Sequence, residues 1–259
     1  MLTGIDHFIV AVPSPDAAAL ELEHTLGLKA GPGGRHEEYG SFNRLVWLGD
    51  SYIELLGVAD RALAAHAWFG ARTLGVLDES GAGYVGMALV VDDLVAQMAD
   101  LHQQGSRLGQ PVAGERARPD GRVVRWRVAV PPEADPDVGL VFLIEHDTEA
   151  AEWTSEERAQ RAADEHPLGG PARLARVEMP VGDLQAVTMR LHRDGGLAFR
   201  PSLAGGGARD ANAGSQIVRL VPAVAGTLPT VVVRGGSTER RAVLAGCEWV
   251  VESASVTAR

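Results

Sequence analysis

One cysteine in 259 residues, Cys247, leaves no partner for an internal disulfide and no thiolate cluster for zinc, which suits a reducing compartment. Within Ala-Val-Leu-Ala-Gly-Cys-Glu-Trp-Val-Val it reads as a small core residue. No stretch approaches the ~18 apolar residues of a membrane span, and no basic segment followed by a long apolar run opens the chain, so a cytoplasmic protein is expected. Basic residues are outnumbered, 24 Lys and Arg against 34 Asp and Glu, and the net charge of −10 argues against a non-specific grip on nucleic acid or an anionic membrane. A small molecule or another protein is the expected partner. With 46% hydrophobic residues, the chain can bury a substantial core as one large domain or two small ones.

What the sequence does contain is a local pattern that recurs three times. Gly4 to Val12 runs as a strand into Pro13-Ser14-Pro15-Asp16 and a helical segment; Gly83 to Val91 runs into Asp92-Asp93-Leu94; Leu174 to Val181 runs into Gly182-Asp183-Leu184. Each copy is a strand, an acidic turn able to cap a helix, and a helix with apolar residues at helical spacing. Strand-like runs bounded by Gly, Pro and Asp follow each helix, the last of them Gln216 to Pro222 and Thr230 to Arg234 in the third copy. The units read as βαβββ and the fold class as α+β. We expect residues 1–150 to hold two modules, 151–171 a linker with a short helix begun by Thr154-Ser155-Glu156-Glu157, and 172–259 a third module. Ala204 to Gly214, rich in glycine, reads as a mobile loop.

Two polar residues stand on apolar strands: His7 in Asp-His-Phe-Ile-Val-Ala-Val and Glu54 in Tyr-Ile-Glu-Leu-Leu. Such a placement can hold a metal inside a sheet. The repeat, together with Gly34-Arg35-His36, Gly40-Ser41-Phe42-Asn43, Tyr52-Ile53-Glu54-Leu55 and Arg118-Pro119-Asp120-Gly121-Arg122 with Trp126, resembles the vicinal oxygen chelate superfamily. That superfamily includes glyoxalase I, extradiol dioxygenases and the bleomycin resistance proteins. The narrower resemblance is to its glyoxalase-like domain family, over about residues 4 to 146.

The resemblance implies paired βαβββ modules closing a cupped sheet, with four metal-ligand slots on the first and last strands of each. His7 fills the first slot, Glu54 the second and Glu145 the fourth, whereas the third falls on Gly86 or Met87, neither a ligand for a hard cation. Alternation sets Glu145 on one face with Val141 and Leu143, and His146 on the other. Histidine plus two carboxylates suits Zn, Ni, Mn or Fe, with no nucleotide cofactor implied. The expected chemistry is lyase or isomerase proton transfer on a small oxygenated metabolite, with Glu54 or Glu145 as base. A single strand histidine counts against ring-cleaving dioxygenase chemistry. The alternative is a metal-free cup that binds or sequesters a small molecule, with His7 satisfied by its neighbours and the carboxylates paired to arginines such as Arg116.

His36, in a glycine-rich loop, reads either as a group that orients or protonates substrate or as an exposed turn residue. Asn43 reads as a substrate contact or a backbone partner. Arg116 and Arg118 are candidate clamps for a carboxylate or phosphate, Arg118 as a ligand contact, although Pro-Asp-Gly is first of all a turn. Trp126 is expected to line the pocket or the core. A lone third unit would leave one sheet face uncovered unless it packs on the other two or on a second chain, so a homodimer is expected.

Overall fold

The computed structural model describes residues 1–118 and 120–254; Pro119, one member of the expected turn, and residues 255–259 lie outside the described part. The first module is β1 (Leu2–Ala11), α1 (Pro15–Leu26), β2 (Arg35–His36), β3 (Ser41–Leu48) and β4 (Ser51–Val58). Helices α2 (Arg61–Ala64) and α3 (Gly70–Ser80), which the sequence pattern left unassigned, lead to the second module. That module is β5 (Gly83–Val91), α4 (Leu94–Gln103), β6 (Val112–Ala117), β7 (Val123–Ala129) and β8 (Leu140–His146). After α5 (Ser155–Ala163) come β9 (Ala172–Val181), α6 (Leu184–Gly195), β10 (Arg200–Pro201), β11 (Arg209–Ala213), β12 (Gln216–Pro222), β13 (Thr230–Gly235), β14 (Arg240–Leu244) and β15 (Cys247–Glu252).

The turns that recur in the sequence act as helix caps. Ser14 accepts from the Ala17 amide with Pro15 in the first turn, Asp93 from Ala96, and Asp183 from Gln185 and Ala186. Gly27 and Gly196 end α1 and α6 with φ of 69° and 70°, a conformation that suits a residue without Cβ.

Sheet one runs β2-β3-β4-β1-β5-β8-β7-β6. β1 is parallel to β4 and β5 to β8, while β1 and β5 are antiparallel with His7 opposite Ala88. The two modules are thus related by a pseudo-two-fold passing near the His7 and Ala88 pair, which converts Glu54 (beside Ile9) into Ile144 (beside Val90).

The second sheet, β10-β11-β12-β9-β13-β15-β14, follows the same plan. β13 pairs antiparallel with β9, as β5 does with β1, and lies parallel to β15. It therefore opens a fourth strand set, which lacks a helix, rather than closing the third module as expected. β11 falls inside the segment expected to be a mobile loop, paired along β12 from Arg209 to Ala213.

One apolar core joins the two sheets: Phe8 and Met87 of the first and Val177 and Trp249 of the second share it with Leu22, Leu101 and Leu191 of the helices between them. The Ile5 amide donates to Gln216 Oε1 at 3.0 Å across this junction. The apolar face of the third unit is covered within the chain, which removes the packing reason for expecting a dimer. On the opposite face of sheet one, inside the cup, Ile9, Leu56, Ala88, Val128, Phe142 and Ile144 form a separate cluster.

Candidate functional site

The cup of sheet one holds a cavity of about 100 Å³ bordered by His7, His36, Asn43, Glu54, Arg116 and His146. Seven aromatic side chains complete its wall, from Tyr39 and Tyr52 through Trp68, Phe69, Trp126 and Phe142 to Trp153. The chain has only 13 aromatic residues, so more than half of them gather at this one place.

Asp6 organises the floor. The β1 to β5 register slips between Ile5 and His7, a bulge that lets two successive side chains work together. Fully buried, Asp6 contacts His7 Nδ1 at 2.6 Å through one oxygen and His146 Nε2 at 2.7 Å through the other. Burial alone would raise the Asp6 carboxyl, but the two histidines hold it well below the usual carboxylate range. An ionised carboxylate only accepts, so His7 carries its proton on Nδ1 and His146 on Nε2. In the neutral tautomers the other nitrogens, His7 Nε2 and His146 Nδ1, are acceptors. His7 Nε2 stands 3.8 Å from Glu54 Oε2, and His146 Nδ1 is buried without a partner among the described residues.

Glu54 is fixed from its other side. Asn43 Nδ2 donates to Glu54 Oε1 at 2.6 Å, and Asn43 Oδ1 accepts from the Gly34 amide at 2.8 Å, which sets the orientation of the amide. The glycine loop is needed here because a Cβ on Gly33 would collide with the Asn43 backbone. His36 rests against Ser41 Oγ at 3.1 Å; burial, aided by Arg116 and His7 and opposed by Glu54, lowers its pKa, so it is neutral at pH 7. Tyr52 stacks on His7 with ring centroids 4.7 Å apart. Burial, with Asp6, Glu54 and Glu152 nearby, raises the Tyr52 phenol well above its ordinary value.

The segment after β8 forms one wall. Trp153 stacks on His146 at 3.7 Å, and Glu152 Oε1 and Oε2 accept from Arg116 Nη2 at 2.9 and 3.0 Å. Glu152 has φ of 72°, and its backbone is clamped by α5, where Glu157 accepts from its amide at 2.7 Å and Arg161 donates to its carbonyl.

His7, Glu54, His36, Asn43 and Trp126 thus meet at one cavity, and two expected site residues do not. Glu145 points to the other side of β8, where it accepts from Arg127 Nε at 2.8 Å; His146 takes the cup-facing place beyond Phe142 and Ile144. The alternation was sound, but β8 is apolar on both faces, so its pattern did not say which face is the cup. Arg118 lies outside the cavity and donates to Glu157 at 3.1 Å. The third slot also moves: Gly86 pairs with Ile9, and the residue opposite His7 is Ala88. Asp6, His146, Arg116, Glu152 and Trp153 complete the site; of these, Arg116 carried a legible signal as a possible clamp and Asp6 as the neighbour able to satisfy His7.

The residues do not fit the four-ligand metal centre. The pseudo-two-fold counterparts of His7 and Glu54 are Ala88 and Ile144, and among the described residues no three His, Cys, Asp or Glu side chains group to hold an ion. Catalytic zinc ordinarily takes three protein ligands.

A model of the glyoxalase-like domain matches residues 5–195, well over half the chain. The crystal structure of a hypothetical protein from Staphylococcus aureus superposes with a TM-score of 0.78 at 18% identity, covering 98% of this chain and 100% of that one. Methylmalonyl-CoA epimerase from Mycobacterium tuberculosis aligns at 25% identity and TM-score 0.43, over 57% of this chain and 91% of that one. The Streptomyces coelicolor epimerase in complex with 2-nitronate-propionyl-CoA aligns at 22% and 0.43, over 56% and 98%. No curated protein matches the sequence. The chain belongs to the glyoxalase-like domain family of the vicinal oxygen chelate superfamily.

Proposed function

We propose that the cup is the active site of a lyase or isomerase that moves a proton on a small oxygenated molecule, with Glu54 as general base. The observation that carries this reading is the pair His7 Nε2 and Glu54 Oε2, held 3.8 Å apart in an aromatic cavity with no hydrogen bond to either among the described residues. With His7 in its neutral tautomer neither can donate to the other, so the pair accepts a donor from a bound molecule. A substrate hydroxyl satisfies His7 Nε2, and Glu54 takes the proton from the carbon that bears it. The electron pair of that C–H bond moves into an adjoining carbonyl, giving an enediolate; the proton returns from Glu54 to the same carbon, or to the neighbouring one once the hydroxyl proton has passed by way of His7 Nε2 to the former carbonyl oxygen. Asn43 keeps the base in position, the neutral His36 serves the developing oxygen charge, and the aromatic wall excludes water. The rival is a metal-free protein that only binds its ligand.

Solvent-deuterium incorporation into a panel of small hydroxy carbonyl compounds, followed by NMR, separates the two. Wild-type protein is expected to catalyse exchange on at least one member, and Glu54→Gln to slow it by about 100-fold or more. Exchange that survives this substitution, or none with any compound, removes the enzyme reading.

A further inference from the structure

Arg116 does something the proton chemistry does not require. It is 7% exposed, yet it lines the cavity, and its whole protein partnership is through Nη2, with both Glu152 oxygens. Nε and Nη1 make no hydrogen bond among the described residues, and neither is among the buried atoms sealed from the cavity. A buried guanidinium offers a flat fork suited to a carboxylate, and here one nitrogen of that fork is engaged. The carboxylate engaging it belongs to a residue at positive φ, where a non-glycine residue is disfavoured by about 1–2 kcal/mol. A second cation also stands near: Arg118 Nη1 lies 3.7 Å from Glu152 Oε1, an alternative partner outside the cavity. Glu152 thus holds Arg116 from the wall with a second cation already within reach of its carboxylate.

We propose that the cup takes a small 2-hydroxy carboxylate with a carbonyl beside its hydroxyl-bearing carbon, whose carboxylate sits on Arg116 in the place that Glu152 holds in the free protein. The class follows from the donors and acceptors of the cavity: an anion for Arg116, a hydroxyl for His7 Nε2, a carbon-bound proton for Glu54 with a carbonyl to take its electron pair, and an apolar or aromatic substituent for Trp126 and Trp153. This rests on the reading of Glu54 and His7 as the reacting end of the site, and it adds what holds the other end.

The test is binding rather than turnover. Quenching of intrinsic tryptophan fluorescence is titrated with 3-phenyllactate and with its neutral amide, 3-phenyllactamide. The acid is expected to bind wild-type protein at least tenfold more tightly than the amide. Glu152→Gln is expected to tighten the acid by about tenfold and leave the amide unchanged, because the competing carboxylate is gone. Arg116→Met combined with Glu152→Met, which removes both charges and avoids a buried unpaired one, is expected to abolish the preference for the acid. Equal binding of acid and amide, a preference that survives the double substitution, or no binding of the acid to either wild type or Glu152→Gln overturns the proposal. Binding that depends on Arg116 without deuterium exchange would instead remove the enzyme reading and leave the carboxylate seat standing.

Discussion

A bulge of one residue decides the chemistry of the floor. Without it, Asp6 and His7 would point to opposite faces of β1, and the contacts from Asp6 to His7 and His146 would not form. His7 and Glu54 were legible as polar residues in apolar strands, and Asp6 as a neighbour able to satisfy His7, but neither alternation nor spacing marks a bulge, so the reach of Asp6 to His146 as well was not legible. A different histidine contributes to the acid response. His166 accepts from the Lys29 amide on Nδ1 at 3.1 Å and is paired through Nε2 with the Trp47 carbonyl at 3.0 Å, and burial lowers its pKa. Its folded pKa is below the ordinary value of 6.5, so the neutral form's stabilisation is fully present above pH 6.5 and is lost as pH falls through the folded value. His36 acts in the same direction. Glutamine can make both His166 hydrogen bonds without titrating. Thermal unfolding followed by circular dichroism at pH 7.5, 6 and 5 is therefore expected to show a smaller loss for His166→Gln than for wild type; parallel losses would contradict this.

At the scale of the element, the segment joining the two sheets is a wall rather than a tether. Thr154 Oγ1 accepts from the Glu157 amide at 3.3 Å, the capping arrangement that Thr154-Ser155-Glu156-Glu157 announced in the sequence. The helix was legible because capping is local. Its packing over the cup was not, because no local pattern records which surface a segment will meet. Thr154→Ala is expected to destabilise the protein by about 1 kcal/mol, read as a lower urea midpoint with an unchanged slope. The same substitution loosens the Glu157 contact to the Glu152 amide, so phenyllactate binding checks the coupling of helix to wall.

For the whole molecule, three modules could be read from the sequence because each begins with a strand, an acidic turn and a helix. The fourth set, β13 to β15, has no helix and hence no cap to announce it, and Thr230 to Arg234 was assigned to the wrong module. The shared core makes the two halves interdependent. Removing everything after residue 165 uncovers the face carrying Phe8, Leu22 and Met87, each fully buried residue of this size contributing about 1.5–3 kcal/mol. The fragment 1–165 is expected to aggregate or to lose its near-ultraviolet circular dichroism; a monomeric fragment with a sharp unfolding transition would show that sheet one stands alone. The pseudo-two-fold has one more consequence. A cup with a base in each half can remove a proton from one side and replace it from the other, inverting the carbon between them. Here the second half presents Ile144 where the first presents Glu54. On the reading of Glu54 as the base, acid–base exchange reaches a bound molecule from one half of the cup, so a hydrogen is returned to the face it left and can pass to the neighbouring carbon, while inversion of a single carbon has no second base to serve it.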